Sequence, residues 1–136
     1  MLIVDAGPLY AAAASNDRNH IRCTELLASA TRPLLVPELV VTEVAYLLND
    51  RIGPHAELAF GRAFASGELL AEPVVPSDWQ RIVDLVAQYA DLALGIVDAS
   101  VVRLAERLEV TEIATLDHRH FGTVKPSHVE AFTLVP

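Results

Sequence analysis

The sequence is poor in cysteine and has no long uncharged apolar stretch, and each of these absences excludes a class of protein. Its 136 residues include a single cysteine, Cys23, which excludes an internal disulfide and a metal site built from several cysteines. No uncharged apolar segment approaches the roughly 20 residues that a membrane-spanning helix needs. The N-terminus lacks a basic leader and Asp5 interrupts the first apolar run, so we expect no signal peptide. We therefore expect a cytoplasmic protein without a membrane-embedded segment.

Basic residues are also scarce. Ten Lys and Arg stand against eighteen Asp and Glu, which gives a formal net charge of −8. This charge argues against loose electrostatic binding to nucleic acid, but a carboxylate cluster built to hold a cation would produce the same imbalance. The basic residues fall into small groups, namely Arg18 with Arg22, Arg103 with Arg107, and Arg119 with Lys125. Taken singly, each group is typical of a solvated helix face or chain end, so the net charge leaves the partner undecided.

The apolar pattern predicts alternating strands and helices. Hydrophobic residues make up 52% of the chain, which argues against disorder, and the length predicts one domain over residues 1–136. Strands are predicted at 2–4, 33–36, 112–116 and 132–135, with an extended segment at 69–75. Helices are predicted at 8–14, 17–30, 37–53, 54–67, 78–89 and 96–108, and Ser77 with Gln80 forms a capping-box pattern before the fifth. This alternation predicts an α/β domain whose mainly parallel central sheet is flanked by helices on both faces.

Four acidic residues stand out because each interrupts an apolar stretch. They are Asp5 in LIVD, Glu43 in LVVTEVAYLL, Asp98 in LGIVDASVV and Asp117 in IATLD. An ionised carboxylate is costly to bury unless it is paired or bound to a cation. Asp5 and Asp117 directly follow predicted strands, and the carboxyl ends of parallel strands share one rim of the sheet. Helix or turn capping is an ordinary alternative for three of the four, but it does not explain Glu43, which lies in the middle of a helix.

Clustered carboxylates favour chemistry that depends on a metal ion. They repel one another, and Mg²⁺ or Mn²⁺ relieves that repulsion. Such an ion activates water and neutralises charge on a phosphoryl oxygen, so hydrolysis of phosphodiesters suits the four acids best. Two alternatives stay open. One is a phosphatase with Asp5 as the nucleophile, although Gly7 stands where that chemistry usually has a second acid. The other is a catalytically silent module that binds protein or RNA.

Four ordered blocks of the sequence carry a resemblance to a known family. MLIVDAGPL, VVTEVAYLL, LALGIVDASVVRLAERL and IATLDHRHF resemble the PIN domain and, more narrowly, the VapC toxins of type II toxin–antitoxin systems. Together they cover the chain nearly end to end. The resemblance implies a PIN-like fold and an endoribonuclease that depends on Mg²⁺ or Mn²⁺ and leaves a 5′-phosphate and a 3′-hydroxyl on its RNA substrate. It also implies a homodimer that is silenced by a cognate VapB-type antitoxin.

The resemblance implies roles for the four acids. Asp5, Glu43, Asp98 and Asp117 correspond to the acidic active-site set of the family. Asp5, Asp98 and Asp117 are the expected metal ligands, and Glu43 is expected to position water or a second ion. The RNA that is cleaved is not implied, because the choice of substrate depends on surface contacts.

The residues around these acids carry further expectations. Ala6 stands where many family members have a hydroxyl residue, and Thr115 is a candidate to supply the missing hydroxyl group. Asp91 is a further candidate, although a solvated loop acid is the favoured interpretation. We expect surface or turn positions for His118 and His120, because an imidazole is unusual beside a carboxylate metal site.

Overall fold

The computed structural model describes all 136 residues and contains five strands and seven α-helices. The strands are β1 (Leu2–Val4), β2 (Leu34–Pro37), β3 (Leu70–Glu72), β4 (Glu112–Ala114) and β5 (Thr133–Val135). The helices are α1 (Ala6–Ala13), α2 (His20–Ser29), α3 (Glu38–Arg51), α4 (Pro54–Ala65), α5 (Trp79–Gln88), α6 (Ile96–Leu108) and α7 (His118–Thr123). Two 3-10 turns lie at Pro76–Asp78 and Ala90–Leu92. None of the helices combines the length and the apolar character that crossing a bilayer requires.

The five strands form one sheet in the order β3-β2-β1-β4-β5, and every neighbouring pair is parallel. The chain runs from β1 outward to β3, crosses the sheet to β4, and continues outward to β5. The direction of winding therefore reverses between β1 and β4. Open parallel sheets bind ligands beyond the carboxyl ends of their strands at such a reversal. By this rule, a ligand site is expected beyond the carboxyl ends of β1 and β4.

Helices cover both faces of the sheet, as the sequence predicted. Helix α1 contacts α2 and α3, α3 contacts α4, and α5 contacts α6. The strands β1 and β2 are buried at every residue, which is the pattern of a parallel sheet covered on both sides. The α/β fold class is confirmed.

Apolar stripes set the rotation of the two helices that carry predicted acids. In α3 the buried residues are Val40, Val44 and Leu48, which share one face because they are four residues apart. Glu43 lies beside that stripe and is exposed. In α6, buried residues run from Ala99 to Glu106, so Asp98 precedes the buried part of the helix. Core packing therefore decides the direction in which each acid projects.

The predicted capping box of Ser77 and Gln80 is wrong. The carboxylate of Asp78 accepts the hydrogen bond instead, from the Val75 N–H to Oδ2 at 3.0 Å. Gln80 donates to the carboxylate of Asp84 one helical turn further along α5, at 2.9 Å. The difference arises because a 3-10 turn at Pro76–Asp78 precedes the helix, which moves the capped position two residues back, from Ser77 to Val75.

Asp78 also ties α5 to α6 through ion pairs. Its Oδ1 accepts from Arg103 Nε at 2.8 Å and from Arg107 Nε at 3.2 Å. Burial alone would raise the pKa of Asp78, but the Val75 N–H and the two guanidinium groups hold that pKa below its ordinary value. The expectation of a solvated face is wrong for Arg103 and Arg107, whose side chains are only 25% and 22% exposed. These ion pairs hold the helix that carries Asp98.

We predict that Asp78→Ala lowers the free energy of unfolding by about 3 kcal/mol, because a backbone N–H and two guanidinium groups lose a buried acceptor. Denaturant unfolding near neutral pH measures the change. The matched control is Asp84→Ala, an exposed acid of the same helix, which we expect to change the stability by less than about 0.5 kcal/mol. Equal losses in the two variants would contradict a special role for Asp78.

Candidate metal centre

Asp5 is buried at the carboxyl end of β1, where the winding of the sheet reverses. Its residue surface is 7% exposed. Its backbone N–H donates to the Ala114 carbonyl oxygen at 2.9 Å, which holds it against β4. Its Oδ2 accepts a hydrogen bond from Thr115 Oγ1 at 2.9 Å. The carboxylate is therefore held between the two central strands.

The Thr115 hydroxyl connects Asp5 to Asp117. It is fully buried, donates to Asp5, and accepts from the Asp117 N–H at 3.0 Å. A hydroxyl can both donate and accept, so one atom fixes the position of both acids. Ala6 offers no hydroxyl, and Thr115 lies where a substitute for one would be needed.

Helix α7 was not predicted, and it determines the surroundings of Asp117. The Oδ1 of Asp117 accepts from the His120 N–H at 2.9 Å, which is an N-cap hydrogen bond. The sequence signal for this helix is an Asp three residues before His120, the donor of the capping hydrogen bond. The signal is weak because the six-residue segment contains two histidines and Gly122, which are poor helix formers. Asp117 therefore performs the ordinary capping role as well as contributing to the acidic group.

His120 contacts three separate parts of the chain. Its Nδ1 lies 3.0 Å from Asp98 Oδ2 and 2.9 Å from Asp117 Oδ2. Its Nε2 lies 2.9 Å from the Leu92 carbonyl oxygen. The predicted surface or turn position is wrong for His120, because the unpredicted turn of helix directs its ring back toward Asp117. His118, by contrast, is exposed as expected.

Glu43 and Asp98 complete the group from the helices α3 and α6. Burial raises the pKa of Asp98, and the charge of Asp117 adds to the effect while His120 opposes it. Partial burial and the charge of Asp98 raise the pKa of Glu43. Glu43 is solvent-exposed as a residue, so it lies on the open side of the group.

The charges that act on Asp5 relate it to Glu43 and Asp98, and hydrogen bonds relate it to Asp117. Burial is the largest cause that raises the pKa of Asp5, and the charges of Asp98 and Glu43 raise it further, to about 6. The structure thus brings together Asp5, Glu43, Asp98 and Asp117, joined through Thr115 and His120. Asp91 is exposed in the 3-10 turn before α6 and makes no hydrogen bond to this group.

The donor set suits a divalent cation. Asp98, Asp117 and His120 each offer a ligand atom, and these atoms all lie within 4.8 Å of one another. Burial is the main cause of the raised pKa values of Asp5, Glu43 and Asp98, and repulsion by neighbouring carboxylates adds to it. A cation that accepts mainly oxygen ligands, such as Mg²⁺ or Mn²⁺, would remove that repulsion. The residues present therefore fit the metal ion that the sequence predicted.

The sequence matches the PIN domain family over residues 2–125. The chain belongs to the PIN-domain family. Among curated proteins, it is 33% identical over 135 residues to Ribonuclease VapC26 of Mycobacterium tuberculosis, an alignment that covers 99% of this chain and 100% of that relative. The predicted family resemblance is confirmed.

Solved structures with the PIN fold superpose well on this chain. The Mycobacterium tuberculosis toxin VapC20, described as cleaving the sarcin–ricin loop, matches with a TM-score of 0.84 at 19% identity, over 95% of this chain and 98% of that one. FitAcB from Neisseria gonorrhoeae matches with a TM-score of 0.66 at 12% identity, over 100% and 97%. At these identities the likeness establishes the fold.

The pKa of Asp5 predicts how the metal-free protein responds to pH. That pKa rises from 3.8 to about 6 on folding, so the folded state holds the proton more tightly. The contribution of Asp5 to stability is therefore highest in acid and is lost as the pH rises from about 4 to about 6. We expect Asp5→Asn to raise the free energy of unfolding by about 1–3 kcal/mol near neutral pH, with a smaller gain in acid.

Denaturant unfolding in the presence of a chelator tests this prediction. Asp91→Asn is the control, because it neutralises an exposed acid and should leave the stability nearly unchanged. If Asp5→Asn is less stable than the wild type near neutral pH, the prediction is wrong, because the ionised carboxylate then does not destabilise the fold.

Proposed function

We propose that this protein is a metal-dependent endoribonuclease and the toxin component of a type II toxin–antitoxin system. One observation carries the proposal. A buried Asp5 is linked through Thr115 to Asp117, and His120 links Asp117 to Asp98, at the point where the winding of the sheet reverses. Membership of the PIN-domain family and 33% identity to a relative named as a ribonuclease support the reaction.

Asp5, Asp98 and Asp117 are the residues that we propose to hold Mg²⁺ or Mn²⁺. When bound, the ion would lower the pKa of water and neutralise charge on the phosphoryl group. Thr115 keeps the carboxylate of Asp5 in a fixed orientation, and the cap of α7 does the same for Asp117. Preorganised ligands of this kind need little rearrangement during the reaction.

Glu43 is the proposed base. It borders the group on the solvent side, and its raised pKa favours acceptance of a proton from the attacking water. The water oxygen bonds to phosphorus while the bond to the 3′ oxygen breaks. The 3′ oxygen takes a proton from solvent, which leaves a 5′-phosphate and a 3′-hydroxyl. The alternative role of Glu43 is to bind a second metal ion. In that role its carboxylate would face the same group of acids.

The surface around the acids can still bind RNA despite the net charge of −8. Arg119 and Lys125 are exposed on and just after α7, close in sequence to Asp117. We propose that they contact the phosphate backbone, since phosphate contacts supply much of the affinity for nucleic acid. Arg103 and Arg107 are committed to Asp78 and take no part.

The partners belong to the same proposal. We propose a homodimer that acts on cytoplasmic RNA and is silenced by a cognate VapB-type antitoxin. The support is that one structural neighbour is described as a toxin and that relatives carry VapC names. A small open reading frame next to the gene, whose product co-purifies with this protein and stops cleavage, would test the antitoxin.

The phosphatase alternative meets a steric obstacle. That chemistry usually has a second acid two residues after the nucleophile, at the position of Gly7. A Cβ atom on Gly7 would lie 3.2 Å from Leu116 Cβ, so the backbone approaches Leu116 too closely to accommodate a larger side chain without a shift. The other alternative is a catalytically silent module that binds protein or RNA. Such a module would have no need to hold Asp5, Glu43 and Asp98 close together although their charges repel one another.

We predict that purified protein freed of antitoxin cleaves RNA in the presence of Mg²⁺ or Mn²⁺. Cleavage should stop when a chelator is added. Asp5→Asn and Asp98→Asn should each lower the cleavage rate by about a hundredfold or more, because each removes a charged metal ligand. Gel analysis of end-labelled RNA measures the rate, and Asp91→Asn serves as the control with unchanged activity. Full activity in Asp5→Asn or in Asp98→Asn would contradict the proposed ribonuclease site.

We also predict that Thr115→Val lowers kcat by about tenfold, because Asp5 and Asp117 lose the hydroxyl that fixes their positions. Thr115→Ser keeps the hydroxyl and should retain most of the activity. Single-turnover cleavage at saturating metal and RNA separates this effect from binding, since KM for RNA should not change. If the valine and serine variants behave alike, the effect comes from packing rather than from the hydrogen bonds.

A further inference from the structure

We propose that His120 Nδ1 is a nitrogen ligand of the metal ion and that it makes the site prefer Mn²⁺ over Mg²⁺. This inference rests on the proposed function, because it concerns the same ion. It goes further by adding a ligand that the four acids alone do not provide, and by stating which of the two ions, Mn²⁺ or Mg²⁺, this ligand favours.

The hydrogen bond at the far side of the ring determines which nitrogen is free. The Nε2 of His120 lies 2.9 Å from the Leu92 carbonyl oxygen, and a carbonyl oxygen can only accept. Nε2 therefore carries the hydrogen, and in the neutral ring Nδ1 carries a lone pair. Histidines that bind metals almost always donate their other N–H to a carbonyl or carboxylate. His120 has this arrangement.

The near side of the ring faces only acceptors. Nδ1 lies 3.0 Å from Asp98 Oδ2 and 2.9 Å from Asp117 Oδ2. A lone pair directed at two carboxylates is repulsive, so a positive charge has to lie among these three atoms. A proton on Nδ1 is one way to supply that charge, and a metal ion bound by all three atoms is the other.

The spacing of the three atoms fits the metal ion. Neighbouring ligands of an octahedral ion with bonds of about 2.1 Å lie about 3.0 Å apart. The two distances from Nδ1 match that value, and all three atoms lie within 4.8 Å of one another. The ligands therefore need only small shifts to bind an ion together.

The ring is also held in place from two directions. The His120 backbone N–H donates a hydrogen bond to Asp117 Oδ1, which leaves Asp117 Oδ2 free to bind a metal ion. On the other side, the carbonyl group of Leu92 belongs to a 3-10 turn that ends at Leu92 and is followed by Ala93, a residue with a φ of 58°. The orientation of the imidazole is thus set by the backbone and does not depend on a mobile side chain.

A nitrogen ligand changes the metal preference. Mg²⁺ favours oxygen ligands, whereas imidazole suits transition metals and raises the affinity for Mn²⁺ relative to Mg²⁺. A site with carboxylates alone would discriminate less between the two ions. The presence of His120 therefore predicts a higher ratio of Mn²⁺ affinity to Mg²⁺ affinity than an all-oxygen variant shows.

Pulsed EPR of the full chain tests the inference directly. Protein stripped with a chelator and loaded with Mn²⁺ should show a coupling of the metal electron spin to nitrogen, and this coupling should change when the histidines are labelled with ¹⁵N. His120→Asp should abolish the coupling and keep an oxygen ligand. Calorimetric titration should show its ratio of Mn²⁺ affinity to Mg²⁺ affinity lowered by about tenfold. The control, His118→Asn, changes an exposed histidine of the same helix and should leave both readouts unchanged.

The outcomes separate this inference from the proposed function. If Mn²⁺ binds and RNA is cleaved without nitrogen coupling, His120 is not a ligand but the nuclease assignment stands. A coupling that persists in His120→Asp would also overturn the inference. Failure of the wild type to bind Mn²⁺ would overturn both. If His120→Asp does not fold, the isotope comparison in the wild type and in His118→Asn still decides.

Discussion

The burial of the Asp5 carboxylate between the two central strands is the constraint on which the rest of the site depends. Burial and neighbouring charge raise its pKa to about 6, so the folded chain holds an acid where an ionised group is unfavourable. The chain compensates in part with the Thr115 hydrogen bond. The remaining repulsion is what a divalent cation would relieve, and this gives the group its proposed function.

The scaffold holds the other acids against that repulsion by means that lie outside the site. The apolar stripe of α3 sets the position of Glu43, and Asp78 anchors α6 through Arg103 and Arg107. One of the three predicted basic pairs, Arg103 with Arg107, thus serves the fold rather than binding a ligand. Arg119 and Lys125, for which we propose RNA contact, remain exposed.

Much of the fold was predictable because parallel strands covered on both sides are short, uniformly apolar runs. The predictions for β1, β4 and α6 are confirmed, and the family resemblance is confirmed by the family match and by a relative at 33% identity. The errors lie where local signals compete with neighbours in space. The capping box failed because Asp78, not Gln80, accepts the hydrogen bond from the backbone N–H that starts the turn, and α7 was missed because its sequence favours a helix only weakly.

The sequence by itself determined that four acids interrupt apolar stretches, and that two of them lie near the ends of β1 and β4. A carboxylate that follows a buried strand is visible in local sequence, since its neighbours reveal the burial. Only the tertiary structure decided that Thr115 bonds to Asp5, 110 residues away, and that His120 bridges Asp98 and Asp117. These contacts depend on the packing of separate elements and on the turn of α7, and no local pattern encodes either.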